Sequence, residues 1–187
     1  RAYGPIIPDS PFYDPNIPKY EYDPEKAAEL LDQAGYPVQE DGFRFSLTLD
    51  FVPVLPQQHR DPAYFIKQNL KEVGIDVEIR ELGTITEWAN YISQWDFDMT
   101  IDGVYNWGDP VIGVHRSYIT ENIRKGAIWS NTQNYSNQVV DELLEAAGKE
   151  MDVEKRKLLY EEFQKIIVEE LPVLSIKMYP YHTIYHK

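Results

Sequence analysis

The sequence predicts an α/β fold in which helices flank a mixed or parallel sheet. Short runs in which apolar and polar residues alternate, typical of strands, are interspersed with stretches whose apolar residues have helical spacing. Their order is β-α-β-α-β, with connections short enough for such a sheet. The chain has 187 residues, of which 43% are hydrophobic. That is enough for one domain, or a large lobe, with its own buried core.

The first helix is predicted to begin at Asp23-Pro24, because Asp caps helix N-termini and Pro suits the first turn. An apolar stripe follows over 27–34, and Gly35 ends it. Apolar and polar residues alternate over 43–51, which predicts the first strand.

Val52 to Arg60 contains two prolines and is predicted to be a loop. Asp61-Pro62 repeats the cap chemistry and predicts a second helix that ends at Gly74. A strand, a short amphipathic helix and a third strand are then predicted at 75–79, 85–92 and 97–101.

The second half of the chain is less regular. A weakly patterned stretch reaches about Asn137 and is followed by two predicted helices, Val139 to Gly148 and Asp152 to Glu169. Leu171 to Ile176 is predicted to be a short apolar strand. At the other end, the proline-rich residues 1–22 are expected to be an extended lead-in that lies on a surface.

Charge and composition exclude several classes of function. The chain has 18 Lys and Arg against 31 Asp and Glu, a net charge of −13, which disfavours nucleic-acid partners and anionic membrane surfaces. No apolar run approaches the roughly 18 residues of a membrane span. The absence of cysteine excludes thiolate catalysis, disulfides and Cys-ligated zinc.

Motifs for metals and catalysis are weak. One run matches the spacing of an EF-hand loop, but its first half reads as a strand and helices do not flank it, so no metal site is predicted; its residues are Asp98, Thr100, Asp102, Gly103, Asn106 and Asp109. The four histidines lack a metal-binding spacing and are assigned structural or surface roles. No cofactor is predicted.

The segment after the third predicted strand is the candidate site, since ligands of parallel sheets lie beyond the carboxyl ends of strands. Tyr105 and Trp107 offer stacking faces, while Asp102, Asn106 and Asp109 offer hydrogen bonds or charge. The alternative for this segment is a Gly-Pro turn with one buried Trp. Loop 53–60 is a second, weaker candidate because it too follows a strand.

Six motifs, in order, resemble the family 5 solute-binding proteins, which are the dipeptide-, oligopeptide- and nickel-type receptors of ABC importers. The longest continuous match is Tyr22 to Tyr36, which resembles the family's "YDPEKAKALLDEAGY" helix. The others are found at 69–78, 96–99, 107–110, 134–144 and 155–172.

The resemblance implies the C-terminal lobe of a two-lobed fold that binds a small polar solute for delivery to a membrane permease. The N-terminal lobe would be missing, residues 23–177 would form the lobe present, and 178–187 would be a strand leading back to the hinge. The protein would be periplasmic or lipid-anchored outside the cytoplasm, and would not be an enzyme.

The family pattern also implies a solute contact. Peptide-binding members have an Asp four residues before the loop proline, where it pairs with the α-ammonium of the peptide; counting back from Pro110 gives Asn106. Asp102 or Asp109 would be the substitutes, and a sugar or opine-like solute is the alternative to a peptide. The alternative from another class is a carbohydrate-active enzyme fragment that uses paired carboxylates.

Overall fold

The computed structural model describes residues 3–178, and its chain divides into two compact units. The sheet unit comprises residues 20–104 and 124–128. Within the described residues, the helical unit comprises 3–19, 105–123 and 129–178. The boundaries expected from the sequence, at residues 22 and 178, stay predictions.

The sheet unit confirms the β-α-β-α-β order. Its elements are α1 (Pro24–Gln33), β1 (Phe45–Phe51), α2 (Pro56–Glu72), β2 (Ile75–Arg80), α3 (Ile85–Ser93) and β3 (Met99–Ile101). The three strands are all parallel in the order β2-β1-β3, with Phe45 opposite Ile75 and Leu49 opposite Met99. Among the described residues the sheet is therefore parallel, and the mixed alternative is not seen.

The core of the sheet unit follows from the alternation in β1. Leu49 and Phe51 are buried and pack with Ala63 of α2, and Leu31 of α1 joins the same cluster. A second cluster forms around Trp88 of α3, which is fully buried. The amphipathic helices thus cover the sheet as their patterns predict.

The predicted start of α2 was wrong. The helix begins at Pro56, so most of the predicted loop 53–60 is helical and Pro62 lies inside the helix. Both prolines carry the signal of a first helical position, and the earlier one marks the start. Pro62 then costs a single main-chain hydrogen bond near the beginning of a long helix, which the structure tolerates.

The helical unit contains α4 (Val114–Tyr118), a 3₁₀ turn (Thr120–Asn122), α5 (Gln138–Lys149) and α6 (Val153–Glu170). Asn137 and Asp152 cap α5 and α6 by accepting bonds from main-chain N–H groups. The predicted helices in this half are confirmed, whereas α4 was missed because five residues are too few to show a period.

The predicted strand at 171–176 was wrong. Leu171 ends α6 in a left-handed conformation, with a φ of 48°, and the residues after it form no strand. An apolar run forms a strand only where a partner strand bonds to it, and the described residues supply none here. The strand predicted at 178–187 lies, from residue 179, outside the described residues.

The segment 3–19 contributes to the core of the helical unit. Ile6 and Phe12 are buried in the cluster that holds Tyr160 and Phe163 of α6. Residues 3–19 form turns without helix or strand and are partly buried, whereas the sequence predicted an extended lead-in on a surface.

Candidate functional site

Four of the five predicted site residues belong to loop 105–113, which precedes α4 in the helical unit. They are Tyr105, Asn106, Trp107 and Asp109. Asp102 follows β3 directly and belongs to the sheet unit.

The loop is a tight turn. The Trp107 N–H donates to the Ile112 carbonyl at 3.3 Å, and the Ile112 N–H donates to the Asp109 carbonyl at 3.0 Å. Gly113 ends the loop with a φ of 116°, and a Cβ there would lie 2.4 Å from the Tyr105 carbonyl oxygen. Glycine is required at this position for both reasons.

Asp109 forms an ion pair with Arg156 of α6. Its two carboxylate oxygens accept from the two Nη groups of Arg156, at 3.0 and 2.5 Å. The hydrogen bonds from Arg156 hold the pKa of the Asp109 carboxyl below its usual value. One carboxylate oxygen also accepts from the Val111 N–H at 3.0 Å, so Asp109 closes the turn as well.

Asn106 is tied to the segment 3–19. Its Nδ2 donates to the Pro5 carbonyl at 3.0 Å, which leaves Oδ1 as the acceptor that this amide offers. Nearby in the loop, the Gly108 carbonyl accepts from the Ser10 hydroxyl at 2.8 Å. The N-terminal segment and α6 therefore both hold the loop.

The aromatic side chains of the loop are exposed. Trp107 is 62% exposed and Tyr105 is 58% exposed, with Val111 and Ile112 exposed beside them in sequence. An exposed indole and phenol on an anchored loop are suited to stacking on an organic solute. The predicted alternative of a turn with a buried Trp does not hold for Trp107.

A buried network supports the loop from within the helical unit. His115 Nε2 lies 2.8 Å from the Tyr160 hydroxyl, and Arg156 Nη2 donates to that hydroxyl at 3.3 Å. Burial, with the positive charge of Arg156 nearby, lowers the pKa of His115 to about 4. His115 is therefore neutral at pH 7.

In the sheet unit, two side chains lie at the carboxyl ends of strands. Asp102 accepts from the Gly103 N–H at 2.6 Å. His59 Nδ1 lies 2.6 Å from the Val54 carbonyl, and a Cβ on Gly103 would be 3.9 Å from His59 Nε2. His59 falls within the second predicted segment, 53–60, although sequence reasoning gave the residue itself a structural or surface role.

The calcium-like run does not form a metal site in the structure. Asp98 accepts from the N–H and hydroxyl of Thr48, at 2.7 and 2.8 Å, and these bonds lower the pKa of its carboxyl. Residues 99–101 form β3. A small open cavity of about 190 Å³ adjoins Asp98, Asp76 and Glu78. Within residues 3–178, acidic and histidine side chains form no group that could hold a metal ion.

Sequence reasoning missed Arg156 as a residue of the site. It lies 47 positions from Asp109, and its only signal was its place in the "KR" motif of the family pattern. The contacts of Pro5 and Ser10 with the loop could not be predicted, because the sequence of a proline-rich segment does not indicate which residues it packs against.

A family model described as "Bacterial extracellular solute-binding proteins, family 5 Middle" matches residues 1–125. The oligopeptide-binding protein AppA of Bacillus subtilis is 28% identical over 185 residues, which cover 89% of this chain and 32% of AppA. The glutathione-binding protein GsiB of Salmonella choleraesuis is 29% identical over 175 residues, which cover 91% of this chain and 33% of GsiB.

The fold is also found in solved structures. The periplasmic binding protein DppA of Helicobacter pylori, in complex with the peptide STSA, superposes with a TM-score of 0.77 at 28% identity. The match covers 91% of this chain and 32% of that protein. The chain therefore spans about a third of the length of the relatives it matches.

Proposed function

Because the chain belongs to the bacterial extracellular solute-binding proteins of family 5, we propose that it is one lobe of the substrate-binding component of an ABC importer. The lobe contributes loop 105–113 to a site that a second, N-terminal lobe closes. A membrane permease receives the solute. Family members are extracellular solute-binding proteins, and the proposal extends to this chain a location outside the cytoplasm, in the periplasm or anchored by lipid.

The observation that supports this proposal best is that two side chains of the loop anchor it while two aromatic side chains stay exposed. Asn106 and Asp109 hold the loop in place through Pro5 and Arg156. Tyr105 and Trp107 are left exposed to more than half of their surface. A loop that is already fixed, with aromatic rings exposed, lowers the entropic cost of binding a ligand, as in other preformed binding sites.

The proposed solute is a peptide or another small polar molecule. AppA and GsiB are named for oligopeptides and glutathione, and the DppA structure holds a tetrapeptide. In this loop the Asp109 charge is already matched by Arg156, and Asn106 is neutral. The loop therefore offers stacking and an amide acceptor, which also suits a sugar or opine-like solute.

The proposed role is binding without catalysis. An enzyme that uses paired carboxylates needs two acids free to transfer protons or attack. Asp109 is engaged by Arg156 and Asp98 by Thr48, so neither serves as such a group.

None of the helices in residues 3–178 is long and apolar enough to cross a membrane.

An NMR titration tests this proposal on the 187-residue chain. Glutathione and trialanine are added to ¹⁵N-labelled protein up to millimolar concentration, because one lobe provides only part of the contacts. The proposal predicts shifts in the amides of 105–113 and in the Trp107 indole, and recovery of both probes intact. Absence of shifts in that loop with either probe, or cleavage of a probe, contradicts it.

The matched variant is Trp107→Ala. Its side chain is exposed, so the fold is expected to survive while the shifts in the remaining loop amides weaken. The control is Trp95→Ala, which removes a partly exposed indole from the sheet unit. Equal weakening by the two variants would contradict a role for Trp107.

A further inference from the structure

We propose that Arg156 is a positioning residue of the solute site: through Asp109 it holds loop 105–113 in one conformation. The exposed rings of Tyr105 and Trp107 are thereby presented in a single orientation. The consequence for binding rests on the proposed function, whereas the hold on the loop rests on the contacts alone.

The loop needs an external hold. Two main-chain hydrogen bonds are described within it, and the one from the Trp107 N–H is long, at 3.3 Å. Two of its nine residues are Gly108 and Gly113, which add backbone freedom. A nine-residue loop with so few internal bonds is expected to sample several conformations unless neighbouring elements fix it.

The Asp109 carboxylate joins the turn to α6. One oxygen accepts from the Val111 N–H at 3.0 Å, and both oxygens accept from Arg156. A two-point bond between a guanidinium and a carboxylate fixes direction as well as distance. Because the same carboxylate serves the turn and the ion pair, loss of Arg156 also frees the group that orders Val111.

Arg156 is itself held in place. The carbon at the centre of its guanidinium lies 4.7 Å from the centroid of the Phe12 ring and 5.5 Å from that of Tyr160. Its Nη2 donates to the Tyr160 hydroxyl, and its side chain is 16% exposed. A lysine ammonium cannot reproduce the two parallel bonds that the guanidinium donates to the Asp109 carboxylate, so lysine does not replace Arg156 here.

This arrangement changes the role of Asp109. Sequence analysis placed Asp109 among the solute contacts. Its charge is matched by Arg156, and each of its two oxygens already accepts a hydrogen bond from that guanidinium. We therefore assign Asp109, like Arg156, to positioning, and leave direct solute contact to the exposed rings of Tyr105 and Trp107 and to the Asn106 amide oxygen.

The test compares Arg156→Gln with the matched control Arg44→Gln. Arg44 also combines an ion pair, with Asp32, and a main-chain contact, with the Val73 carbonyl, but it belongs to the sheet unit. Amide hydrogen exchange is measured at Val111 and Ile112, and the ¹⁵N–¹H indole resonance of Trp107 is recorded.

In Arg156→Gln, exchange at Val111 and Ile112 is expected to rise on the order of tenfold, the size of a lost charge-assisted bond. The Trp107 indole resonance is expected to broaden or split, while those of Trp88, Trp95 and Trp129 stay as they are. Arg44→Gln leaves all of these loop signals unchanged.

Three further variants separate positioning from general support. Arg156→Lys keeps the charge but is expected to restore little of the protection, because the fork geometry is lost. Asp109→Asn is expected to match Arg156→Gln, and the double variant is expected to add nothing further.

Unchanged exchange at Val111 in Arg156→Gln would overturn the hold on the loop. An equal rise along α5 and α6 would overturn it too, since that would show general loosening. Titration of Arg156→Gln with trialanine completes the test. If amide exchange in the loop rises but trialanine causes the same chemical-shift changes as in the unaltered chain, the role of Arg156 in solute binding is overturned. Failure of the unaltered chain to bind either peptide would instead count against the proposed function. The exchange measurement would still show whether Arg156 fixes loop 105–113.

Discussion

Nε2 of the His115 imidazole lies 2.8 Å from the Tyr160 hydroxyl oxygen inside the helical unit. His115 belongs to α4, which directly follows loop 105–113. Both residues are buried, and their ring centroids are 5.7 Å apart. The same hydroxyl accepts from Arg156, so its proton is available to a neutral imidazole. The pair links α4 to the side chain that holds the loop.

This pair predicts a pH dependence of stability. The pKa of His115 is about 4 in the folded protein, against about 6.5 when unfolded, so the unfolded chain binds more protons between those values. Stability is therefore complete above pH 6.5 and falls as pH drops towards 4, by about 3 kcal/mol in all. Urea unfolding at several pH values measures it.

The control for this prediction is His115→Gln, which keeps an acceptor for Tyr160 and does not titrate. Its stability is expected to change less across the same window. The lowered pKa of Asp109 adds a loss of stability only at more acidic pH. Parallel decline of both proteins between pH 6.5 and 4 would contradict the assignment to His115.

Gly113→Ala tests the geometry of the loop. The added Cβ would meet the Tyr105 carbonyl oxygen at 2.4 Å, in a backbone conformation that disfavours any side chain. We expect a loss of about 2–4 kcal/mol in the free energy of unfolding. Gly108→Ala is the matched control, because a Cβ there meets no heavy atom within 4 Å. Equal effects of the two substitutions would show that the turn is not as described.

Gln164→Leu tests the attachment of the segment 3–19. Gln164 is fully buried; it accepts from the Asp14 N–H at 3.2 Å and donates to the Phe12 carbonyl at 2.9 Å. Leucine leaves both main-chain groups buried and unbonded, so we expect a loss of about 3 kcal/mol. Gln138→Leu, on an exposed face, is expected to change stability by less than about 0.5 kcal/mol. A small effect at Gln164 would indicate that the segment is not fixed there.

Asn106→Asp tests which group of the solute meets the loop. The variant places a carboxylate where the amide now donates to the Pro5 carbonyl, so a modest loss of stability is expected. It is also expected to favour trialanine over N-acetyl-trialanine by about tenfold more than the unaltered chain does, since a carboxylate pairs with an ammonium. Unchanged preference in calorimetric titrations would count against Asn106 as a solute contact.

Periodicity predicted the element order of the sheet unit, because its strands alternate in sequence and the apolar stripes of α1 and α2 pack against them. The start of α2 was placed too late because Asp61-Pro62 has the sequence of a capped helix start, whereas Pro56 begins the helix after Leu55, whose side chain forms no capping bond. The strand predicted at 171–176 failed because apolar alternation says nothing about whether a partner strand exists.

The site was predicted only in part, for a physical reason. The position and aromatic content of the loop were readable from local sequence. The pairing of Asp109 with Arg156, and of Asn106 with Pro5, depends on tertiary contacts between residues 47 and 101 positions apart. Solute contact by Asp109 stays a prediction from the sequence, which could not reveal that its carboxylate pairs with Arg156.

The most direct test of the receptor assignment is mass spectrometry of the small molecules that co-purify with the protein expressed from its complete gene. The molecules are released by denaturation and identified. We expect an intact peptide or another small polar solute in near-stoichiometric amount, and its loss in a Tyr105→Ala, Trp107→Ala double variant. Recovery of only cleaved products of an added substrate, or retention of the same solute by the double variant, would contradict it.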